Sequence, residues 1–312
     1  MNGKRRTDRG IQTVSIEMLA DIAEVADDRP SPELRRAVLA QVRAATAQRP
    51  MPTTAEVPAA AGPYAAQVAE LDTLLAGLSG EQWRTLVVNG WDVAGVVGHL
   101  AAVDAIAADA VGLPTPPRLG VGDDVAERTG WVQRAHDGQS YDALHQAWRG
   151  QAIALLRFAA AQADRLDTSI PYLGLQLAAA DVFADRAAET WVHGQDIRVA
   201  LALPPQAPQP GHLSIVAGVG ARVLASTWAP DATGGVLLHL TGAGSSDWLI
   251  GPAEPGAAAS GVAVGAEVSV DCLEFCYLLG GRRSVSDLDY TISGDPALAL
   301  AVLTAATRLA RL

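Results

Sequence analysis

One segment of the sequence carries an acid and an imidazole at a spacing that suits metal binding. Glu189 and His193 lie four residues apart in RAAETWVHGQDIRVAL (186–201), which has the apolar periodicity of a helix. Both side chains therefore project from one helical face. That face also carries Val182 and Ile197, so we expect it to point into the protein. A buried carboxylate beside a buried imidazole is costly unless both find partners, and a metal ion satisfies both at once.

A third ligand has to come from another helix, and His99 is the candidate. It lies in GWDVAGVVGHLAAVD (90–104), with Val96 and Val103 on the same helical side. Two histidines and one carboxylate leave open positions on a divalent ion, which is typical of a catalytic zinc site and not of a closed structural one. Spacing alone also fits a plainer interpretation, in which the acid and imidazole are a solvated or internally hydrogen-bonded pair without metal.

The remaining candidates for chemistry have plainer interpretations. Cys272 and Cys276 lie four residues apart in an apolar run, which favours two buried small side chains over a redox or metal-binding pair. Trp91 and Trp191 are close to the proposed ligands in sequence and are candidates for a pocket wall. Four further histidines have no evident partner and are expected to be ordinary surface or core residues: His136, His145, His212 and His239.

Composition limits the classes of function. The chain has 312 residues, a formal net charge of -11 and two cysteines. The negative charge argues against nucleic acid as a partner. So few cysteines exclude a disulfide scaffold and favour a cytoplasmic location. No stretch approaches about 18 uncharged apolar residues, so no membrane span is predicted, and no apolar segment typical of a secretory signal follows the basic N-terminus.

Four amphipathic segments must position the proposed ligands. The periodicity predicts helices over residues 64–78, 93–111, 141–166 and 175–201. Four long helices with a long middle connection are typical of a four-helix bundle. We assign residues 64–205 to this domain.

Beyond a proline-rich stretch the composition changes, and residues 206–312 are expected to form a small α+β domain. The elements predicted there are helices at 212–226 and 296–312 and strands at 236–240, 247–250 and 268–270. Residues 270–279 fit either a helix or a buried strand. The fold class predicted for the whole chain is therefore α+β.

The first 50 residues are expected to form a separate helical extension. Two short apolar stripes within residues 14–46 predict a helical hairpin, and the Pro-, Ala- and Thr-rich stretch 51–63 is typical of a linker. Two short helices bury too little apolar surface to be stable alone. The hairpin must therefore dock on its own chain, which we prefer, on a second copy, or on a partner protein.

Taken together, the motifs resemble the mycothiol-dependent maleylpyruvate isomerase family, which belongs to the DinB-like metal-binding helical bundles. The resemblance covers about residues 64–312. The matching residues occur on three separated segments in the family's order: Trp83, Gly90-Trp91, Val97-Gly98-His99-Leu100 and Asp104; then Arg186, Glu189, His193-Gly194 and Asp196; and then Leu279-Gly280-Gly281-Arg282 and Ser293-Gly294-Asp295.

The resemblance implies a site and a reaction. In the family, one His of the second helix and a Glu and His of the fourth bind a divalent metal, usually zinc, and these ligands fall on His99, Glu189 and His193. An Arg of the C-terminal domain holds the substrate carboxylate; Arg282 is the best match, with Arg283 beside it as the alternative. Mycothiol supplies a thiol that the metal activates for attack on a small electrophilic substrate, and isomerisation or thiol transfer follows.

Two residues of the pattern leave alternatives open. Asp196 follows His193 by three residues and is expected either to orient that ligand by a hydrogen bond or to form an ion pair with Arg198 or a neighbouring helix. Residues 28–43 are similar to the segment that follows the zinc-binding part of some bacterial anti-sigma factors, although the His-x-x-x-Cys-x-x-Cys motif is absent. A regulatory or sensor protein, with a protein partner at residues 14–46, is therefore the second interpretation, and a metal-free structural bundle is the third.

Overall fold

The computed structural model describes residues 50–113, 124–228, 234–251 and 263–309. The helical hairpin predicted at residues 14–46 lies outside this part of the chain. Within the stretch predicted as a linker, Val57 and Ala61 are buried.

Five helices make up the first half of the described chain, and they are α1 (Gly62–Ala76), α2 (Val93–Ala110), α3 (Val125–His136), α4 (Tyr141–Ala161) and α5 (Ala179–Ala200). Side chains mark several of the helix starts. Asp92 accepts a hydrogen bond from the backbone of Gly95 at 2.8 Å, and Ser140 accepts one from Ala143 at 3.2 Å. These N-caps satisfy backbone donors that have no partner within the helix.

The observed bundle differs from the predicted one in two places. The predicted start of the fourth helix was wrong, because β4 (Leu175–Ala178) pairs with β3 (Ser169–Tyr172) in an antiparallel hairpin before α5 begins. The helix α3, which lies in the middle connection, was not predicted. Its sequence is largely polar, and it packs on α2 through only a few buried side chains.

A second hairpin leads into α2. It consists of β1 (Leu86–Val88) and β2 (Trp91–Asp92). Asn89 and Gly90 form its turn with φ values of 54° and 77°, a left-handed conformation that suits a two-residue hairpin turn and that glycine and asparagine tolerate best. The hairpin places Trp91 at the start of α2.

The C-terminal half is a four-stranded sheet with helices, and its elements are α6 (Pro210–Thr227), β5 (Gly235–Thr241), β6 (Ser246–Ile250), β7 (Val264–Asp271), α7 (Cys272–Leu279), β8 (Tyr290–Gly294) and α8 (Pro296–Leu309). The strand order is β6-β5-β7-β8, in which only the β5–β7 pair is parallel. The segment 270–279, which the sequence left open, is the end of a strand followed by a helix. The predicted α+β class is confirmed.

One hydrophobic core runs through both halves of the described chain. It includes Tyr64, Phe183 and Trp191 from the bundle together with Val268 and Phe275 from the C-terminal half. The helix α2 is long and apolar enough to cross a membrane by length and composition, but 67% of it is buried inside the protein. The core position of α2 accounts for its apolar composition.

Candidate metal centre

Three side chains from two helices converge inside the bundle. His99 comes from α2, and Glu189 and His193 come from α5. The Nε2 atoms of His99 and His193 each lie 3.5 Å from Oε2 of Glu189. One ligand atom from each residue lies within 4.8 Å of the other two. Glu189 is the more open member, with 38% of its side chain exposed against 10% for His99 and 7% for His193.

The arrangement fits a divalent ion. Two ligands at about 2.0–2.1 Å from a tetrahedral zinc ion stand about 3.3 Å apart, close to the 3.5 Å between each Nε2 atom and the carboxylate. Two imidazoles and one carboxylate are also the ligand set of catalytic zinc sites that keep open positions. His99, Glu189 and His193 could therefore hold a metal ion with room for a further ligand.

Hydrogen bonds on the far side of each imidazole fix the ring orientations. Nδ1 of His99 lies 3.0 Å from the Thr129 hydroxyl, and Nδ1 of His193 lies 3.1 Å from Oδ2 of Asp196. Partners at Nδ1 leave Nε2 free to coordinate and orient the ring toward the ion. Thr129 belongs to α3, a helix that the sequence pattern did not predict, so its contact with His99 was not predicted either. Asp196 takes the orienting position that was one of its two expected roles.

Arg282 lies on the outer side of this hydrogen-bond chain. Its Nε donates to Oδ1 of Asp196 at 3.1 Å, and its Nη2 donates to Oδ2 of the same carboxylate. Nη1 donates to the backbone oxygen of Gly280, and Nη2 is 3.4 Å from Nδ1 of His193. The side chain keeps 27% of its surface exposed. An arginine of the C-terminal half thus reaches the centre formed by the bundle.

Arg283 takes a different direction. Its Nε donates to Oε2 of Glu274 at 2.9 Å, and its guanidinium lies 5.3 Å from the ring centroid of Tyr277. Both contacts are made to α7 on the surface of the C-terminal half. Of the two candidate arginines, Arg282 is the one next to the proposed ligands.

The electrostatic surroundings favour the protonation states that a metal needs at two of the ligands. Burial lowers the pKa of His99, which favours the neutral imidazole. Partial burial would raise the pKa of Glu189, but hydrogen bonds with His193 and His99 outweigh it and hold the pKa well below its usual range. Burial would likewise lower the pKa of His193, yet the hydrogen bonds to Asp196 and Glu189 raise it. Glu189 is therefore a carboxylate at neutral pH.

The two tryptophans named as candidate wall residues lie in different places. The Trp91 ring stacks on the His99 imidazole with centroids 5.2 Å apart, so it does border the centre. Trp191 is buried, donates from Nε1 to the backbone oxygen of Gln206 at 2.9 Å and packs against Tyr277. Its role is packing between the bundle and the C-terminal half.

The other histidines and the cysteines are outside the centre. Among the histidines with no evident partner in the sequence, His145 has its Nε2 2.7 Å from Oδ1 of Asp72, and His239 has its Nδ1 2.7 Å from Oδ1 of Asp247. These partners are distant in sequence or on a neighbouring strand, so spacing could not indicate them. Two cysteines, Cys272 and Cys276, are buried with free thiols, as predicted.

Comparisons with known proteins found both sequence relatives and solved structures that are similar to the chain. Two uncharacterised proteins from two strains of Mycobacterium tuberculosis are each 29% identical to the chain over 256 residues, covering 76% of this chain and 91% of each relative. A crystal structure of mycothiol-dependent maleylpyruvate isomerase is 17% identical and covers 78% of this chain and 97% of that chain with a TM-score of 0.47. The crystal structure of a mutant of that enzyme is also 17% identical, and it covers 77% of this chain and 96% of that chain with a TM-score of 0.49.

The family resemblance read from the motifs is confirmed at the level of the bundle. Residues 64–198 match the family model of the mycothiol maleylpyruvate isomerase N-terminal domain. The matched segment contains all three proposed ligands as well as Thr129 and Asp196. Residues 64–198 of this chain are therefore similar to the mycothiol maleylpyruvate isomerase N-terminal domain.

Proposed function

We propose that the chain is a metal-dependent enzyme that uses mycothiol as its thiol cosubstrate. The observation that carries the proposal is the convergence of His99, Glu189 and His193 within a segment that is similar to the mycothiol maleylpyruvate isomerase N-terminal domain. The proposed ion is divalent, with zinc the best fit to two imidazoles and a carboxylate. When bound, such an ion lowers the pKa of a thiol that coordinates it, so that the thiol is ionised near neutral pH.

The residues around the proposed ligands hold and orient them. Thr129 and Asp196 fix the two imidazoles through Nδ1, and the open side at Glu189 gives a small molecule access. The Trp91 ring covers one face of His99 and restricts the directions of approach. Positioning of this kind supplies much of the rate advantage when two small molecules must meet in one geometry.

Arg282 is the residue that we propose to hold the substrate. A planar guanidinium binds a carboxylate through two parallel hydrogen bonds. The Arg282 side chain is 27% exposed, and its Nη2 lies 3.4 Å from Nδ1 of His193. The ion pair with Asp196 would keep its plane fixed before the substrate arrives. The substrate class is therefore a small electrophile that bears a carboxylate.

The reaction class follows from thiol addition. The thiolate of the cosubstrate would form a carbon–sulfur bond at the electrophilic carbon of a double bond conjugated with a carbonyl, while the π bond breaks and its electron pair moves to that carbonyl as an enolate, which a proton converts to the neutral adduct if the adduct is released. Elimination after rotation about the former double bond gives an isomer and returns the thiol, whereas release of the adduct makes the protein a thiol transferase. We propose isomerisation or transfer in the cytoplasm, where the free thiols of Cys272 and Cys276 would stay reduced.

A thiol-consumption assay tests this proposal. The purified full-length chain, loaded with zinc, is incubated with mycothiol and a series of cis-unsaturated keto acids, while free thiol and substrate absorbance are followed. We expect substrate conversion that stops after chelation and returns with zinc, with thiol either regenerated or consumed one for one. Glu189→Gln is the matched inactive control. A wild-type protein that binds no divalent metal and converts no electrophile in the presence of mycothiol would contradict the proposal.

A further inference from the structure

A fully buried ion pair lies in the bundle beside the proposed ligands. Nε of Arg186 on α5 is 3.3 Å from Oδ1 of Asp104 on α2, and both side chains are 0% exposed. Both residues belong to the sequence motifs, yet neither reaches the three proposed ligand atoms. Their burial therefore needs a separate explanation.

Arg186 is held from a second direction as well. Its Nη1 lies 3.4 Å from the Tyr172 hydroxyl and 3.7 Å from Oδ2 of Asp185, and that hydroxyl donates to Asp185 at 2.8 Å. The guanidinium thus joins a carboxylate of α2 to polar groups of β3 and α5. Such a bridge has little freedom to move without breaking several contacts.

The ion pair and the proposed ligands occur on the same two helices. Arg186 precedes Glu189 by three residues on α5, and Asp104 follows His99 by five residues on α2, as expected for antiparallel neighbours. Polar contacts therefore join these two helices at two places. One is the ion pair, and the other is the contact of His99 Nε2 with Glu189 Oε2 at 3.5 Å. A slide or rotation of one helix would change both contacts together.

Stability alone is a poor explanation for this pair. Two charges taken out of water lose hydration that their attraction rarely repays, and replacement of buried ion pairs by apolar side chains often leaves stability unchanged or raises it. Burial raises the pKa of Asp104 to about 6 even with the cation of Arg186 opposing the shift. The best-attested use of buried polar pairs is to fix the register between elements, and a metal site needs its ligands held within about 0.5 Å.

We propose that Asp104 and Arg186 are a positioning pair for the metal centre. Their ion pair fixes the register of α2 against α5, and this register brings Nε2 of His99 to the carboxylate of Glu189. The inference rests on the proposed function, since it concerns a divalent ion held by His99, Glu189 and His193.

The test replaces both charges at once in the full-length chain. The variant Asp104→Leu/Arg186→Met removes both fully buried charges, and Asp185, whose side chain is 32% exposed, keeps its hydrogen bond from the Tyr172 hydroxyl. It is compared with the wild type by thermal unfolding with chelator present, by zinc affinity in competition with a chromophoric chelator, and by the visible spectrum of the cobalt-substituted protein. We expect an equal or higher unfolding temperature, zinc affinity weakened about 10- to 100-fold and an altered cobalt spectrum, because the spectrum reports ligand geometry.

A matched control separates positioning from general loosening of the bundle. Asp72 and Arg149 form an ion pair between α1 and α4, with Nε 3.0 Å from Oδ2, and neither helix carries a proposed ligand. Asp72→Leu/Arg149→Met should keep the wild-type zinc affinity and cobalt spectrum. An equal loss of affinity in this control would overturn the inference.

The other outcomes of these measurements also test the positioning role of Asp104 and Arg186. A folded Asp104→Leu/Arg186→Met protein with wild-type affinity and spectrum refutes the positioning role and leaves the proposed function intact. A wild type that binds neither zinc nor cobalt refutes the proposed function itself and the inference with it. If the double variant does not fold, Arg186→Lys is measured in its place, since it keeps the charge but loses the planar fork. Wild-type zinc affinity and a wild-type cobalt spectrum in Arg186→Lys would overturn the inference.

Discussion

The Thr129 hydroxyl lies 3.0 Å from Nδ1 of His99, and it reaches the imidazole from a helix, α3, that runs through the connection between α2 and α4. A neutral imidazole that coordinates through Nε2 carries its proton on Nδ1, so the hydroxyl acts as the acceptor. The connection therefore supplies a partner for a proposed ligand.

Loss of this hydroxyl should weaken metal binding. We expect Thr129→Val, which keeps the shape of the side chain, to reduce zinc affinity about 10-fold with little change in the folded structure. Thr129→Ser keeps the hydroxyl and should bind zinc nearly as well as the wild type. Competition with a chromophoric chelator measures both variants, and equal affinities for Thr129→Val and the wild type would show that the contact does not support the site.

The metal content itself is the second prediction. Elemental analysis of the freshly purified protein should give about one divalent ion per chain, and Glu189→Ala/His193→Ala should abolish it because two of three proposed ligands are lost. Since a ligand that binds only the native state stabilises it, the chelator should lower the unfolding temperature of the wild type and leave that of the double variant unchanged. Unaltered metal content in the double variant would rule out these ligands.

The two adjacent arginines give the third prediction. Arg282→Lys loses the planar fork, so we expect KM for a carboxylate-bearing substrate to rise about 10-fold, equivalent to about 1.4 kcal/mol. Arg283→Lys is the matched control, because Arg283 contacts Glu274 and Tyr277 away from the proposed ligands, and its KM should stay within about 2-fold. Steady-state kinetics on both proteins, with metal content measured in parallel, checks this; the reverse order of effects would assign the substrate to Arg283.

The fourth prediction concerns acid stability. Burial would raise the pKa of Asp72, but hydrogen bonds with His145 and Arg149 outweigh it and lower the pKa. A lowered carboxyl pKa contributes stability above the unfolded-state value of about 3.9, and this contribution is lost as pH falls through the lower folded-state value. Asp72→Asn should therefore cost about 1 kcal/mol of unfolding free energy at pH 7.

Urea unfolding at pH 7 and near pH 3 measures this difference. The difference in unfolding free energy between the wild type and Asp72→Asn should be smaller at the lower pH, because the wild-type carboxylate becomes protonated there. Asp142→Asn, at an exposed position on α4, serves as the control and should change the unfolding free energy by less than about 0.5 kcal/mol. If this difference in unfolding free energy grows toward pH 3, the pKa of Asp72 is not lowered in the folded protein.

The fifth prediction concerns the N-terminal extension. We expect a chain that lacks residues 1–50 to keep the fold of the bundle, its metal and its thiol-dependent activity, because the proposed ligands and their hydrogen-bond partners all lie between residues 99 and 282. Elemental analysis and the thiol assay compare the truncated and full-length proteins. Loss of metal on truncation would make the extension part of the core.

From the sequence, the predicted centre extended only to residues that have apolar neighbours at helical spacing. The convergence of His99 and Glu189 could be inferred from apolar residues at helical spacing from them, Val96 and Val103 for the first and Val182 and Ile197 for the second. Thr129 could not, because α3 is polar and short and its burial depends on contact with α2. The start of α5 was placed too early, since Leu175 and Leu177 alternate as residues of a strand do, and they belong to β4, which pairs with β3.

Long-range partners were beyond the sequence for a related reason. Asp104 and Arg186 were recognised as parts of a motif, but their ion pair depends on the approach of two helices 82 positions apart in the chain. The same holds for His145 and Asp72, which are separated by 73 positions. Spacing indicates which residues share a helical face, and it carries no information on which face meets which.

The bond between Asp196 and Arg282 has a consequence for how this protein can be divided. The family match ends at residue 198, whereas the hydrogen bonds that surround His193 continue to Arg282, beyond the end of the matched domain. A fragment cut at the domain boundary would keep the three proposed ligands but leave Asp196 without the cation that balances its charge. The matched domain therefore lacks one residue of the proposed site. A bundle joined to a different C-terminal half would keep the three proposed metal ligands, but that half would have to provide an equivalent arginine.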